Sequence, residues 1–321
     1  MKNRIKTFSA LLKLEFREHK GSFFKTPIII GIVLVVMALL SYFTTDRFVL
    51  DVSGGDNLQL AIGSLQHIGD DKLNFALDVF MLITGSLYHF ILFVVVFFFL
   101  LGSLYDDRKD GSILFYKSLP VSDTQTVLSK LITATVVAPA CFVFGLMISH
   151  LMMFVVISLI LLLNGLNPFS LLWLNVSFIE NWGAFIIGCL VQSLWALPLY
   201  GWLMFASSVA KRRPFLLAVF APLMAGFVWY WYNALVNLNL FKFGFFQTIG
   251  LLFAKATTPF STGLGHKDFE KMDFDPTAQT SGEVIYSMLN GLMQIELLYG
   301  LLFAAVTVTL AVYIRRYRNT I

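Results

Sequence analysis

Residues 91–130 read ILFVVVFFFLLGSLYDDRKDGSILFYKSLPVSDTQTVLSK. The first part, Ile91 to Leu101, is apolar at every position. A strand of a membrane barrel alternates apolar and polar residues, and this run does not. A helix pairs its own backbone groups, so it can stand in lipid with every face apolar. At Tyr105 the character changes within one turn. Asp106, Asp107, Arg108, Lys109 and Asp110 lead to Gly111, a short mixed piece and Ser118-Leu119-Pro120. The segment 105–130 is an island of charge between two long apolar runs.

Composition extends the first half of that reading to the whole chain. Of 321 residues, 58% are hydrophobic and 13% charged, and the mean hydropathy is +0.78. Soluble domains carry about 25% charged residues, so a soluble protein of this composition could not cover its surface with polar groups. Several apolar runs reach the roughly 20 residues that cross a bilayer. The expectation is an all-α integral membrane protein with six transmembrane helices, near residues 27–43, 79–104, 131–163, 182–210, 214–236 and 292–314. The charged lead and the missing small-residue cleavage site predict that the first is a retained span. Cys141 and Cys189 both lie in apolar runs and read as buried thiols, with no disulfide framework or zinc spacing.

Residues 1–25 carry seven basic residues. At 100° per residue, Ile5, Phe8, Leu12, Phe16 and Phe23 share a face, with Lys2, Lys6, Lys13, Arg17 and Lys20 in a stripe beside it. That is the pattern of an N-terminal interfacial amphipathic helix, with Phe8, Leu12, Phe16 and Arg17 at the headgroups. The run 131–163 is too long for one upright helix and too short for two, and Pro139 predicts a kink. The loop after it, Asn164 to Asn181, has no Lys or Arg, so the run reads as one tilted span. With both termini inside, seventeen basic residues fall on the inner side and six on the outer, as positive-inside topology requires. Residues 237–291 then form a large outer loop, acidic through Asp268, Glu270, Asp273 and Asp275.

Catalytic signatures are missing. No G-x-x-x-x-G-K-[ST] phosphate loop occurs, so ATP-driven work would need another chain. His19, His67, His89, His150 and His266 are scattered without metal spacing, and no carboxylate pair or nucleophile triad supports an enzyme. His150, Gln192 and Glu296 lie within spans, which makes them candidates for a transport pathway.

At 105–130 the chain resembles permeases of the type-2 ABC exporter family. These carry a charged cluster, Gly, a short helix, Leu-Pro-Val-Ser and a later Lys. Here the matching positions are Asp106 to Asp110, Gly111, Ser112 to Ser118, Leu119-Pro120-Val121-Ser122 and Lys130. Ser112 stands where the family commonly has Thr, and Asp where it often has Glu. The resemblance implies a single permease domain over 1–321, with an interfacial helix (1–25), a cytoplasmic coupling helix between spans 2 and 3 (within 105–130), and re-entrant helices before span 6. The re-entrant candidates are Phe241 to Ala256 and Val284 to Gly291.

It further implies that Asp106, Asp107, Arg108, Asp110, Gly111, Leu114, Phe115, Tyr116, Leu119 and Pro120 meet a cytoplasmic ABC ATPase subunit. ATP and Mg would be bound there, and no cofactor by this chain. The other implied partners are a second permease copy (homodimer or heterodimer) and the lipid bilayer, not nucleic acid. The implied location is a bacterial plasma (inner) membrane, with both termini cytoplasmic, and the cargo is unassigned. Two alternatives stand beside this reading: a secondary transporter or channel working alone, and an accessory membrane protein that senses or anchors.

Overall fold

The computed structural model describes residues 2–48, 69–118, 121–236, 245–259 and 281–318. Leu119, Pro120 and the start of the first re-entrant candidate, residues 241–244, lie outside them. Every regular element among the described residues is helical. In chain order these are α1 (Lys2–Glu18), α2 (Thr26–Phe48), α3 (Asp70–Lys109), α4 (Ser112–Ser118), α5 (Asp123–Ile132), α6 (Ala138–Leu163), α7 (Phe178–Val209), α8 (Pro214–Val236), α9 (Phe245–Thr257), α10 (Ser281–Gly291) and α11 (Ile295–Tyr317). Wider π-helical turns join α1 to α2 at Gly21–Lys25 and α5 to α6 at Thr133–Val137.

Among the described residues, six stretches are long and apolar enough to cross a membrane: Gly21–Thr44, Asp71–Lys109, Asp123–Leu163, Phe178–Val209, Pro214–Leu235 and Ile295–Tyr317. The six expected spans are therefore present, but two are longer than their apolar cores. At 1.5 Å per residue, the 40 residues of α3 reach about 60 Å, twice a hydrocarbon core of about 30 Å. Its ends stand beyond lipid, where Asp71 and Lys72 at one end and Asp106 to Lys109 at the other are free to be helical. The third span begins at Asp123, eight positions before its apolar run.

Helix α7 is the axis of the fold and packs against α3, α8, α9, α10 and α11. Trp195, Tyr200, Leu203 and Met204 on it are buried. By contrast, α2 and α8 bury few of their apolar side chains, as helices do when lipid is their other neighbour. Helix α2 crosses α6 closely. A Cβ at Gly145 would overlap the Pro27 ring, and one at Gly31 would overlap the Ser149 side chain. Tyr88 on α3 closes this crossing: its hydroxyl donates to the Pro27 carbonyl at 2.7 Å and lies 2.5 Å from Ser149 Oγ.

The kink expected at Pro139 takes the form of the π-helical turn just before it. Proline lacks an N–H, so the carbonyl of Thr135 loses its usual partner. Ser193 of α7 supplies one, its hydroxyl donating to Thr135 O at 3.0 Å. Past the fifth span, α9 and α10 are two short helices packed on α7.

Candidate functional site

The polar island becomes a rigid mount. Helix α3 ends at Lys109, and Gly111 then takes φ +73°, a left-handed conformation that glycine adopts without steric cost. Ser112 Oγ donates to Asp107 O across the turn (3.2 Å), and α4 follows. Ser122 starts α5 with a full capping box. Ser122 Oγ accepts from Gln125 N, and Gln125 Oε1 accepts from Ser122 N, each at 3.2 Å. Helix α3 is also bolted to the end of α7. Ser207 Oγ accepts from the backbone N–H groups of Leu104 (3.1 Å) and Tyr105 (2.9 Å). The Arg108 guanidinium donates to Ser207 O (2.5 Å) and Ala210 O (3.0 Å).

Beneath α4 lies a buried ionic cluster drawn from four helices. Asp107 on α3 accepts from Lys130 of α5 at 3.3 Å and from Arg315 of α11 at 2.8 Å. Lys130 also pairs with Glu15 of α1 at 3.0 Å, and Arg315 with Asp123 of α5 at 3.4 Å. The Tyr116 ring covers both cations, with Lys130 Nζ 5.9 Å and the Arg315 guanidinium 5.7 Å from its centroid. Burial pushes the Glu15 carboxyl above the usual carboxylate range, an effect that Lys130 offsets in part. Burial likewise raises the Tyr116 phenol, helped by the Glu15 and Asp107 charges.

This arrangement divides the residues expected to meet a partner. Asp106, Asp110, Leu114 and Phe115 are exposed, and Gly111 is half-buried. Asp107, Arg108 and Tyr116 are buried and make their contacts within the chain, so they hold the mount and do not face outward. Leu114 and Phe115 are 57% and 58% exposed on α4, while Ile113 and Tyr116 point inward.

The N-terminal helix also differs from its expected pose. Phe8, Leu12 and Phe16 are half-buried and Arg17 is exposed, but the most buried line is Leu11 and Glu15, turned toward α5. On a helical wheel Glu15 falls beside Phe8, at the edge of the apolar face and away from the basic stripe. The partner that lets it turn inward, Lys130, is supplied from far along the chain.

The three pathway candidates do not meet in one route. Trp182 Nε1 donates to His150 Nδ1 at 3.2 Å, and His150 Nε2 lies 2.6 Å from Thr84 Oγ1. An indole N–H can only donate, so the imidazole proton belongs on Nε2 and the ring is neutral. Gln192 Oε1 lies 2.9 Å from His89 Nδ1, and its amide N–H groups donate to His89 O (2.9 Å) and Ala256 O (2.8 Å). Glu296 is exposed in the first turn of α11. Near it, Lys255 is buried, donates to Gln294 Oε1 and stands 4.1 Å from the centre of the Trp195 ring. Burial lowers the Lys255 ammonium pKa, and Glu296 offsets this in part.

Glu15, Asp123 and Arg315 are the members of the cluster that sequence reading did not single out. Their signal was weak: charges flanking spans are ordinary, and only the fold brings these four helix ends together. A second pattern was visible and overlooked because the histidines were considered alone. Glu15, Glu18 and His19 follow i, i+3, i+4 spacing, and the structure brings one ligand atom of each within 4.8 Å of the others. Comparison of the chain with family models, curated proteins and solved structures finds no match.

Proposed function

We propose that the chain is the membrane-spanning permease subunit of an ATP-driven exporter, and that α4 is the coupling helix on which a separate cytoplasmic ATPase subunit docks. The observation that carries this reading is the pair Leu114 and Phe115. They stand exposed on a short helix whose other face is fixed to the protein. The pair lies at the basic end of the bundle, the end expected in the cytoplasm. Anchors of this kind supply most of the energy of protein interfaces.

The mount gives a mechanical reason for the arrangement. A push on Leu114 and Phe115 is carried by the Tyr116 side of α4 into Asp107, Lys130 and Arg315, and so into α3, α5 and α11 together. ATP would be hydrolysed in the partner, and the two permease copies would form the pathway between them. α9 and α10 fit the re-entrant helices of such a subunit. A transporter working alone would need an ionisable route through the spans. His150 and Gln192 are instead held in neutral hydrogen-bonded networks, and Glu296 is exposed at a helix end.

The test is co-purification with the ATPase encoded nearest this gene, with ATP hydrolysis as readout. Leu114→Glu with Phe115→Glu is expected to weaken the complex by at least 2 kcal/mol, roughly 30-fold in affinity. Thermal unfolding of the permease alone should not change. An intact complex in the double variant, or no ATPase bound to the wild type, defeats the proposal.

A further inference from the structure

Glu15 and Glu18 in the last turn of α1 and His19 directly after it each offer one ligand atom, and these atoms lie within 4.8 Å of one another. We infer that they form a binding site for a divalent transition-metal cation, independent of any docking at α4.

The first argument is the state of Glu15. It is fully buried, and its Oε2 has no hydrogen-bond partner among the described residues. Its counter-ion among the described residues, Lys130, is shared with Asp107, and within the ion-paired set two cations serve three carboxylates. A buried carboxylate oxygen without a partner is costly, and here it adjoins two further metal-ligand groups.

The second argument is the pose of His19. Its Nδ1 lies 3.2 Å from the backbone carbonyl of Glu15. A proton on Nδ1 makes that bond and leaves the Nε2 lone pair for a cation, the usual way in which a ligating histidine is oriented. Edge-on contact with Phe99, centroids 4.7 Å apart, holds the ring. The third is access. Glu18 is exposed, and His19 also lines a cavity of about 330 Å³ with Ser22, Thr26, Gly102 and Asp106. A cation would reach the site from solvent and keep water in its remaining positions.

Two carboxylates and one imidazole suit Zn²⁺, Mn²⁺ or Co²⁺ rather than a soft cation such as Cu⁺. Lys130 is the competitor for Glu15. When a cation binds, Lys130 keeps Asp107, and the ion pair that joins α1 to α5 is weakened.

The experiment uses the full chain in lipid nanodiscs, titrated with Co²⁺ and followed by visible absorption, with Zn²⁺ as competitor. Wild type is expected to bind one Co²⁺ per chain, displaced by Zn²⁺ but not by excess Mg²⁺. Glu18→Gln and His19→Gln should each weaken binding by at least tenfold. Glu18 is exposed, so its variant tests the site without disturbing the fold. Glu180→Gln, an exposed acid on α7, should leave binding unchanged. Absence of saturable binding, equal binding in the Glu18 and His19 variants, or an equal loss in the Glu180 variant overturns the inference.

Discussion

The basic end of the bundle and its apolar interior are held together by opposite means. At the basic end, Glu15, Asp107, Asp123, Lys130 and Arg315 join four helices by charge, and Glu15 Oε2 is left over. In the interior, Gln192 links α3, α7 and the end of α9 with neutral hydrogen bonds, and His150 links α3, α6 and α7 in the same way. The difference follows the solvent. Charge is tolerable near a wet boundary, where imperfect pairing is relieved by nearby water. In lipid an ion is too costly, so neutral groups do the joining. A region joined by charge can be rearranged by a push or a ligand. One joined by neutral contacts transmits motion as a rigid body.

The hardest break in this contrast is Asp107→Asn. Among the described residues Asp107 is the only carboxylate shared by both buried cations, so the variant leaves Lys130 and Arg315 with a neutral amide between them. Removing one partner of a buried pair costs about 3–5 kcal/mol. A loss of that size is expected in the thermal or denaturant unfolding of the purified chain, and it should be largest when both cations remain. In an Arg315→Gln background the added cost of Asp107→Asn should be smaller, because one stranded charge is gone. Equal costs in the two backgrounds would mean that Arg315 does not depend on Asp107.

Gln192→Leu is the corresponding break in the interior, and its expected effect is smaller. It removes the amide from His89 Nδ1 and from the Ala256 carbonyl while keeping similar bulk. Losing a partner at buried neutral groups costs about 1–3 kcal/mol. Hydrogen exchange should show the loss chiefly at α9, whose last turn Gln192 holds to α7. If exchange at α9 is unchanged, the amide does not fix that helix.

The two regions were also unequally legible in the sequence. The interior was read well because lipid permits little else: Ile91 to Leu101 must be helical, and six such runs give six helices. Local punctuation was legible too. Gly111 marks a left-handed turn and Ser122 caps α5, both set by neighbours within a few residues. The basic end was not legible in the same way. Asp107, Arg108 and Tyr116 look like surface residues beside Leu114 and Phe115, and a seven-residue helix is too short to declare which face is inward. Glu15 turns in only because Lys130 arrives from α5, and Arg315 is 208 positions from the carboxylate it serves. α3 and α5 outrun their apolar runs for a related reason. Their polar ends are helical because they pack on other helix ends, which hydropathy does not report.

The smallest expected effect tests how the interior repairs its own irregularity. Pro139 withholds an N–H from Thr135 O, and Ser193 donates to that carbonyl from the neighbouring helix. Ser193→Ala should cost about 1 kcal/mol, within the range of hydrogen bonds between helices in membranes. The sharper measurement is the same substitution in a Pro139→Ala background. There residue 139 regains an N–H, the carbonyl can be satisfied within its own helix, and Ser193→Ala should cost clearly less. A lower cost in that background would show that the serine compensates for the proline. The same cost in both backgrounds would show that Ser193 merely bonds to a carbonyl that already had a partner, and the repair would have to lie in the π-helical turn itself.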